Sequence, residues 1–488
     1  MSIVSDFPKN LAYNLKQLSG FSKTTVKITP DRSSIGPNDI IRYKLPSGTL
    51  VDLRSLVWYF QADCFGTCSV AGGAIHLPRY SSSLIERLTV SANGITLCSI
   101  SSYGLLYNAL MDMEGADISQ LSKRITERYD PTTTFTSATA SNDNKISVVE
   151  GGDNGVSNDA GIKLAVNNWL GLLNNISTPV IDTSFLGDVI IEIQTAPASV
   201  LWAGVSAVSP VYSNTSFTLS NNFMTISKIV FNDDLYYQLL SEKLLSSSLL
   251  LGYYDYYTSR GSATQKSAGV SINFNINSAS LDQVITTFQH SDFNSTKPLV
   301  AYGYNGIADA DGTGPFSMAQ ILADPGAYTN TIATAATINT DCIGFIDNGD
   351  AFCNSWYFKR AGNGLTNAQY FINNVAVNPY ALTPIEIFNE NLQAMGYNNI
   401  DVGTNGIHPG CLSLEHFLKY YYVHILSLEN LSGGGDFYIS GLDGNSSSIN
   451  IQYNASFTST NSQQVIPVVF CRTSKILNVS SGRQLSVI

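Results

Sequence analysis

The stretch from Ile226 to Leu251, ISKIVFNDDLYYQLLSEKLLSSSLLL, divides this chain, because it has helical spacing while the sequence on either side reads as strand. Asn232 or Asp233 can cap a helix whose apolar residues Leu235, Tyr236, Leu239, Leu240 and Leu244 fall on one stripe. Ile226, Ile229 and Phe231 precede it as a closing strand. The pattern admits two readings: a bridge between two β-domains, or a surface helix on one large sandwich. A chain of 488 residues is too long for one ordinary core, which favours the bridge.

Before the bridge, residues 1 to about 24 read as an N-terminal arm with a short amphipathic piece, Leu11 to Leu18. Val26 and Ile28 then alternate with Thr25, Lys27 and Thr29, and Pro30 to Pro37 turns the chain toward Ile40, Ile41 and Tyr43. Val51 to Cys64 is a long half-buried strand in which Leu53, Val57, Tyr59 and Ala62 compete for the inner face, and Trp58 is expected in a core or interface rather than as a sugar platform. Leu84 to Ile100 reads as two strands joined at Asn93-Gly94, a dipeptide suited to a tight hairpin because both central residues need positive φ. A helix comes next, striped by Leu105, Leu106, Ala109, Leu110 and Met113 and stopped by Gly115. Thr126 to Gly161 is a polar excursion without period. Leu186 to Thr195 restores the strand, with Val189, Ile191 and Ile193 inward and Glu192 outward.

The second half repeats this plan. Ser271 to Ile276 alternates, Leu281 to Gln289 continues as a strand, and Ser295 to about Thr340 is another long loop. Within it, Asp309-Ala-Asp311-Gly312 resembles a calcium-loop fragment, but the later ligands and the closing Glu are missing. Trp356 to Lys359 and Tyr370 to Val377 read as strands flanking a Gly-rich turn. Thr383 then caps a helix with Pro384 at its first position and Glu386 completing a capping box. Ile385, Phe388, Leu392 and Met395 are its expected apolar face, and Gly396 ends it. NALMDMEG in the first half and NENLQAMG in the second echo each other. Tyr420 to Leu428 alternates as a strand covered on both sides. Phe437 to Ser440, Ile449 to Phe457 and Val465 to Cys471 supply further strands.

Composition removes several function classes. Charged residues make up only 13 %, and Asn, Ser, Thr, Gly and Tyr are plentiful, as in a polar-surfaced β-protein. A net charge of −11 without a basic stripe argues against coating nucleic acid, since phosphate binding needs clustered Lys and Arg. No run approaches the roughly 18 apolar residues of a membrane span, and MSIVSDFPKN lacks the pattern of an export signal. Seven cysteines with no paired spacing beyond Cys64 and Cys68 suit reduced thiols. His416 and His424 have no third ligand spaced to join them, so no metal site is expected. No nucleophile elbow, phosphate-binding Gly loop or carboxylate pair stands out. Catalytic, cofactor-binding and metal residues are therefore all expected to be none.

The fold class read from these patterns is all-β: two tandem eight-stranded jelly-roll β-sandwiches with short inserted helices. The expected divisions are an N-terminal arm over 1–24, a first jelly roll over 25–231, a helical connector over 232–250, a second jelly roll over 251–475 and a C-terminal tail over 476–488.

From Val51 onward the chain also resembles the double jelly-roll major capsid proteins of icosahedral DNA viruses, the lineage of adenovirus hexons, nucleocytoplasmic large DNA viruses, virophages and polinton-like viruses. The resemblance lies in the order of VDLRSLVWYFQADC, HLPRYSSSLIERLTVSANGITL and SSYGLLYNAL in the first half. In the second half it lies in FINNVAVNPYALTPIEIFNENLQAMG, YYYVHILSLEN, ISGLDGNSSSINIQYNAS and KILNVSSGRQLSVI. It implies a structural protein of the virion, assembled in the host cytoplasm or nucleus. The implied unit is a homotrimer presenting six sandwiches in a nearly hexagonal outline, tiling a shell around a DNA genome. Implied partners are neighbouring capsomers and penton, minor capsid or cement proteins, with no sequence-specific nucleic-acid binding and no transmembrane segment. The competing reading is a secreted or surface carbohydrate-binding β-sandwich, an adhesin or lectin, which calls for an export signal and disulfides that this sequence does not display.

Overall fold

The computed structural model describes residues 21–68, 74–78, 80–114, 162–204, 212–231, 248–291, 357–395, 421–429, 441–444, 448–458, 463–480 and 484–487, with a few isolated positions between them. Residues 1–20 of the arm, the excursions at 126–161 and 295–340, the Asp309 to Gly312 fragment, His416 and the strand expected at Phe437 to Ser440 lie outside these residues. So does the crossing helix expected at Asn232 to Leu245, apart from Glu242, which is helical.

Among the described residues there are 21 strands, of which the sixteen numbered here carry the architecture; five short ones lie off the main sheet paths or in a separate two-stranded ribbon. Those of the first half are β1 (Phe21–Ile28), β2 (Ile40–Lys44), β3 (Leu50–Cys68), β4 (Ile85–Ala92), β5 (Ile95–Ser101), β6 (Ile162–Val166), β7 (Val189–Thr195) and β8 (Tyr212–Phe231). The second half contributes β9 (Leu249–Arg260), β10 (Val270–Ile276), β11 (Leu281–His290), β12 (Leu365–Ile372), β13 (Val375–Ala376), β14 (His424–Ser427), β15 (Ile449–Phe457) and β16 (Gln464–Val479). The first half forms sheets ordered β1-β8-β3-β6 and β2-β7-β4-β5, and the second forms β9-β16-β11-β14 and β10-β15-β12-β13. Adding eight to every strand number turns one half into the other. Each half is a jelly roll, in which successive strands cross between two facing antiparallel sheets.

Facing sheets are joined by their largest side chains. Trp58 on β3 is fully buried and donates from Nε1 to Tyr43 Oη on β2, at 2.8 Å, with Phe60 tilted against it at 4.4 Å. It is a core residue, as expected. In the second roll Tyr370 on β12 donates to Thr286 Oγ1 on β11 at 2.6 Å, and Phe288 stacks on Tyr422 at 5.0 Å. Burying a side chain of this size contributes roughly 1.5–3 kcal/mol, so the aromatic content is what holds the layers. All ten residues of β11 are buried, and Tyr421 to Leu426 are as well, so both segments are covered on two sides. The Asn93-Gly94 hairpin forms with φ of 49° and 80°.

Several expectations are corrected. β1 begins at Phe21, not at residue 25, because it pairs with β8 along its full length from Phe21 opposite Phe231. β16 continues to Val479 and Leu485–Val487 folds back onto it, so residues 476–479 and 485–487 are sheet rather than tail. Likewise Leu249 and Leu250, placed in the connector, pair with Val479 and Asn478 as the start of β9. On β3 an irregularity between Asp52 and Val57 shifts the alternation. Leu56, Trp58, Phe60 and Ala62 point inward, while Tyr59, assigned inward, is 36 % exposed. Tyr370 to Val377 is not one strand. Asn373 and Asn374 adopt φ of 51° and 64° and turn it into the β12-β13 hairpin. Tyr357 and Phe358 form a turn instead of the strand expected at Trp356 to Lys359, with Phe358 N donating to Ser355 O at 3.1 Å.

Candidate functional site: the seam between the two rolls

One hydrophobic core runs through both rolls, so their junction is a packed seam. On the first roll it is built from β5 and the helix after it, and on the second from β9. Tyr253 Oη donates to Leu97 O at 2.7 Å, Thr258 Oγ1 to Ser101 O at 2.9 Å, and Arg260 Nη2 to Ser102 Oγ at 3.2 Å. Ser99 N donates to Asp255 Oδ1 at 3.3 Å, and Lys475 Nζ holds the other oxygen of that carboxylate at 2.6 Å. At one end Ser177 N donates to Gly252 O at 2.7 Å, while Gly252 N returns a bond to Ser177 Oγ at 3.0 Å. Gly171 has φ of 71° and sits so close that a Cβ there would lie 2.8 Å from Ile100 Cδ1 and 3.0 Å from Cys98 Sγ.

The helix after β5, α1 (Tyr103–Glu114), is buried on every side that is described, from Tyr103 to Met113. That explains its all-round apolar sequence, in which Asp112 and Asn108 are the polar exceptions. Asn108 Nδ2 donates to Ser83 Oγ and to Gly104 O, each at 2.7 Å, tying the helix to the segment before β4. Asp112 accepts from Tyr80 Oη at 3.1 Å and from Arg360 Nη2, on the second roll, at 2.7 Å. Both ionic side chains are fully buried. The Arg360 guanidinium also lies 5.7 Å from the centre of the Tyr421 ring. A few residues away, Tyr357 Oη donates to Glu86 Oε2 at 2.5 Å, and burial pushes both the Glu86 carboxyl and the Tyr357 phenol above their ordinary pKa values. Apolar burial supplies the adhesion of this seam. The ion pair fixes its register, because a shifted alignment would strand two charges away from water.

The second helix, α2 (Pro384–Ala394), has the expected capping box, with Glu386 Oε2 accepting from Thr383 N at 2.8 Å and Thr383 Oγ1 at 2.6 Å. Of its expected face, Phe388, Leu392 and Met395 pack partly buried against the core, while Ile385 is 58 % exposed and Ile387 and Asn391 are the fully buried positions. The Asn391 side chain accepts from Ile425 N and donates to Val423 O, each at 2.7 Å, acting as an extra strand partner for β14. One position earlier, Glu390 Oε2 lies 2.7 Å from His424 Nε2, and His424 Nδ1 lies 3.0 Å from Tyr453 Oη. With the carboxylate accepting from Nε2, Nδ1 is left to accept from Tyr453. Both ring nitrogens of His424 are occupied in this way. Among the described residues no group of three or more His, Cys, Asp or Glu is placed to hold a metal ion.

None of these seam residues was singled out from the sequence. A signal was present: in a chain with 13 % charged residues, Asp112 sits within ALMDM and Arg360 within WYFKRAG, ionic groups inside apolar runs. Nothing in the sequence says that they meet.

A single chain carrying two rolls of one strand order defines the double jelly roll. No family model matches the sequence and no curated protein matches it. Solved structures share the architecture across nearly the whole chain. PBCV-1 VP54, as fitted into a reconstruction of the virophage Sputnik, matches with a TM-score of 0.55 and 10 % identity over 96 % of this chain and 97 % of that one. A chain of the Sputnik virophage structure matches at 0.54 and 12 % identity, over 96 % and 89 %. The Faustovirus major capsid protein matches at 0.53 and 9 % identity, over 93 % and 90 %. At such identities the shared property is the fold. Among the described residues no helix is long and apolar enough to cross a membrane.

Proposed function

We propose that this chain is a viral major capsid protein that acts by assembly and not by catalysis. It forms a homotrimer whose six rolls make a pseudo-hexagonal capsomer, and these capsomers tile an icosahedral shell enclosing a DNA genome. Its partners are neighbouring capsomers and penton, minor capsid or cement proteins, and its place is the virion. The observation that carries this reading is the identical strand order of the two rolls, locked side by side by a buried seam. Two equivalent blocks per chain become six on a three-fold axis, which is the geometry that fills a hexagonal lattice. The fold shared with the viral proteins above supports it. So do the 26 Tyr and 22 Phe, the side chains that large permanent interfaces favour. The proposed units are a first roll starting at Phe21 and a second running from Leu249 to Val487, a division that the strand pairing at these ends supports. Mass measurement in solution with negative-stain imaging tests it. Three chains per particle and a six-sided outline are expected, and a monomer without that outline overturns it.

A further inference from the structure

Three connecting segments meet at one end of the second roll: the one before β10, the one before β12 and the one between β15 and β16. At their meeting point Lys266 is fully buried. A lysine ordinarily keeps its amine in water. Here Nζ donates to Asn363 O at 3.1 Å, to Asn363 Oδ1 at 2.5 Å and to Gln463 Oε1, and it lies 5.3 Å from the centre of the Phe457 ring. These three oxygens all belong to amides.

The backbone fixes both side chains against one segment. Lys266 N donates to Gln463 O at 3.0 Å, and Ser267 N to Asn461 O at 2.9 Å. From the other side Asn461 Nδ2 donates to Asn363 O and Thr458 N to Gly364 O, each at 2.9 Å. The amine and the Asn363 carboxamide are thus held together from two directions, with Cγ one carbonyl bond, about 1.2 Å, beyond the oxygen that Nζ meets. Gln463 adds a second feature. Its Nε2 is buried with no hydrogen-bond partner among the described residues, a donor at hand for negative charge developing on an amide oxygen.

We propose that Lys266 and Asn363 form an isopeptide cross-link, a covalent amide between the two side chains. The reacting form is the neutral amine, which desolvation favours over the ammonium in a buried lysine. Nζ attacks Asn363 Cγ, so that an Nζ–Cγ bond forms and the Cγ–Nδ2 bond breaks. Nδ2 leaves with one proton from Nζ as ammonia, and that ammonia takes up the proton given up by the starting lysine ammonium. One ammonium ion is released, and no oxidant, reductant or second reagent is consumed. The link closes a loop over 97 sequence positions that contains β10 and β11. It ties the segment before β10 to the segment before β12, and it is independent of the assembly proposed above.

The test is the intact mass of the purified full chain, followed by a tryptic map under denaturing conditions. The chain is expected to be lighter than its sequence by one ammonia, with trypsin failing to cut after Lys266 and a branched peptide joining Lys266 to Asn363. Lys266→Arg keeps the charge and removes the nucleophile, so its mass should match its sequence and the branched peptide should be lost. Because Asn363 precedes Gly364, a succinimide at Asn363 is a second way to shed one ammonia. It forms no branch and survives in Lys266→Arg, and that result overturns the proposal. So does a full-mass wild type with unmodified Lys266, which makes the site a buried ammonium held by amide oxygens only, and so does a branch at Gln463. Should Lys266→Arg not fold, the presence or absence of the branched peptide in the wild type decides.

Discussion

Arg360 Nη2 lies 2.7 Å from Asp112 Oδ2, with both side chains fully buried and 248 positions apart in sequence. The pair joins a helix of the first roll to the segment between β11 and β12 of the second. Removing one partner leaves a charge without water or counter-charge. Asp112→Ala is therefore expected to destabilise the chain by about 3–5 kcal/mol in chemical denaturation. Asp112→Leu combined with Arg360→Met is expected to recover most of that loss, since it strands no charge. A double variant as unstable as the single one would show that the pair does more than compensate itself.

Gly171 measures how tightly the first roll packs on its own side of the seam. Alanine there must adopt φ of 71° and also meet Ile100 and Cys98, whereas Gly48, at φ of 66°, has nothing within 4 Å of its added Cβ. Gly48→Ala should cost about 1–2 kcal/mol for conformation alone. Gly171→Ala should cost more, by up to about 3 kcal/mol for strain at the contact. Equal effects in denaturant titrations would mean that Ile100 and Cys98 yield freely at this point.

The buried His424 makes the second roll sensitive to acid. Burial lowers its pKa below the ordinary 6.5, and the facing Glu390 offsets only part of this, while Tyr453, Tyr422 and Tyr370 surround the ring as neutral groups. As pH falls, the unfolded chain takes up the proton first. The stability tied to neutral His424 is thus complete above 6.5 and is lost as pH drops through that value toward the lower folded one. Asp282 and Glu86 work in the opposite sense, since burial raises their carboxyl pKa values and folding then favours their protonated forms. The comparison that isolates the histidine is the melting temperature of the wild type against His424→Gln from about pH 8 to pH 5. The wild type should lose more on acidification, and parallel curves would dismiss the effect.

Cys98 and Cys471 are buried free thiols. Burial pushes the Cys98 and Cys471 thiols well up, with Asp255 adding to the effect at Cys98. Thiolate is the reactive form, so maleimide at neutral pH should leave both unmodified in the folded chain and label them in denaturant. Peptide mapping by mass spectrometry reads the outcome, and rapid native labelling of Cys98 would mean that the seam opens readily.

Sequence alone determined the features that depend on neighbours a few residues apart. The Asn93-Gly94 turn, the inward Val189, Ile191 and Ile193, α1 and the Thr383 cap of α2 all arise from local dihedral preference and hydrophobic period. The repetition of that plan was enough to indicate two β-sandwiches. Tertiary structure decided everything set by distant partners. Alternation cannot say that β1 begins at Phe21, since Phe231 on β8 holds it there, or that an irregularity on β3 turns Tyr59 outward. It cannot leave Ile385 out of the docking face of α2 and bring Asn391 into it, because the hydrogen bonds that seat Asn391 are with Val423 and Ile425. Nor can it bring Asp112 to Arg360. The physical reason is the same in each case: strand pairing and buried charge are satisfied by groups far away in sequence, and only the folded chain brings those groups together.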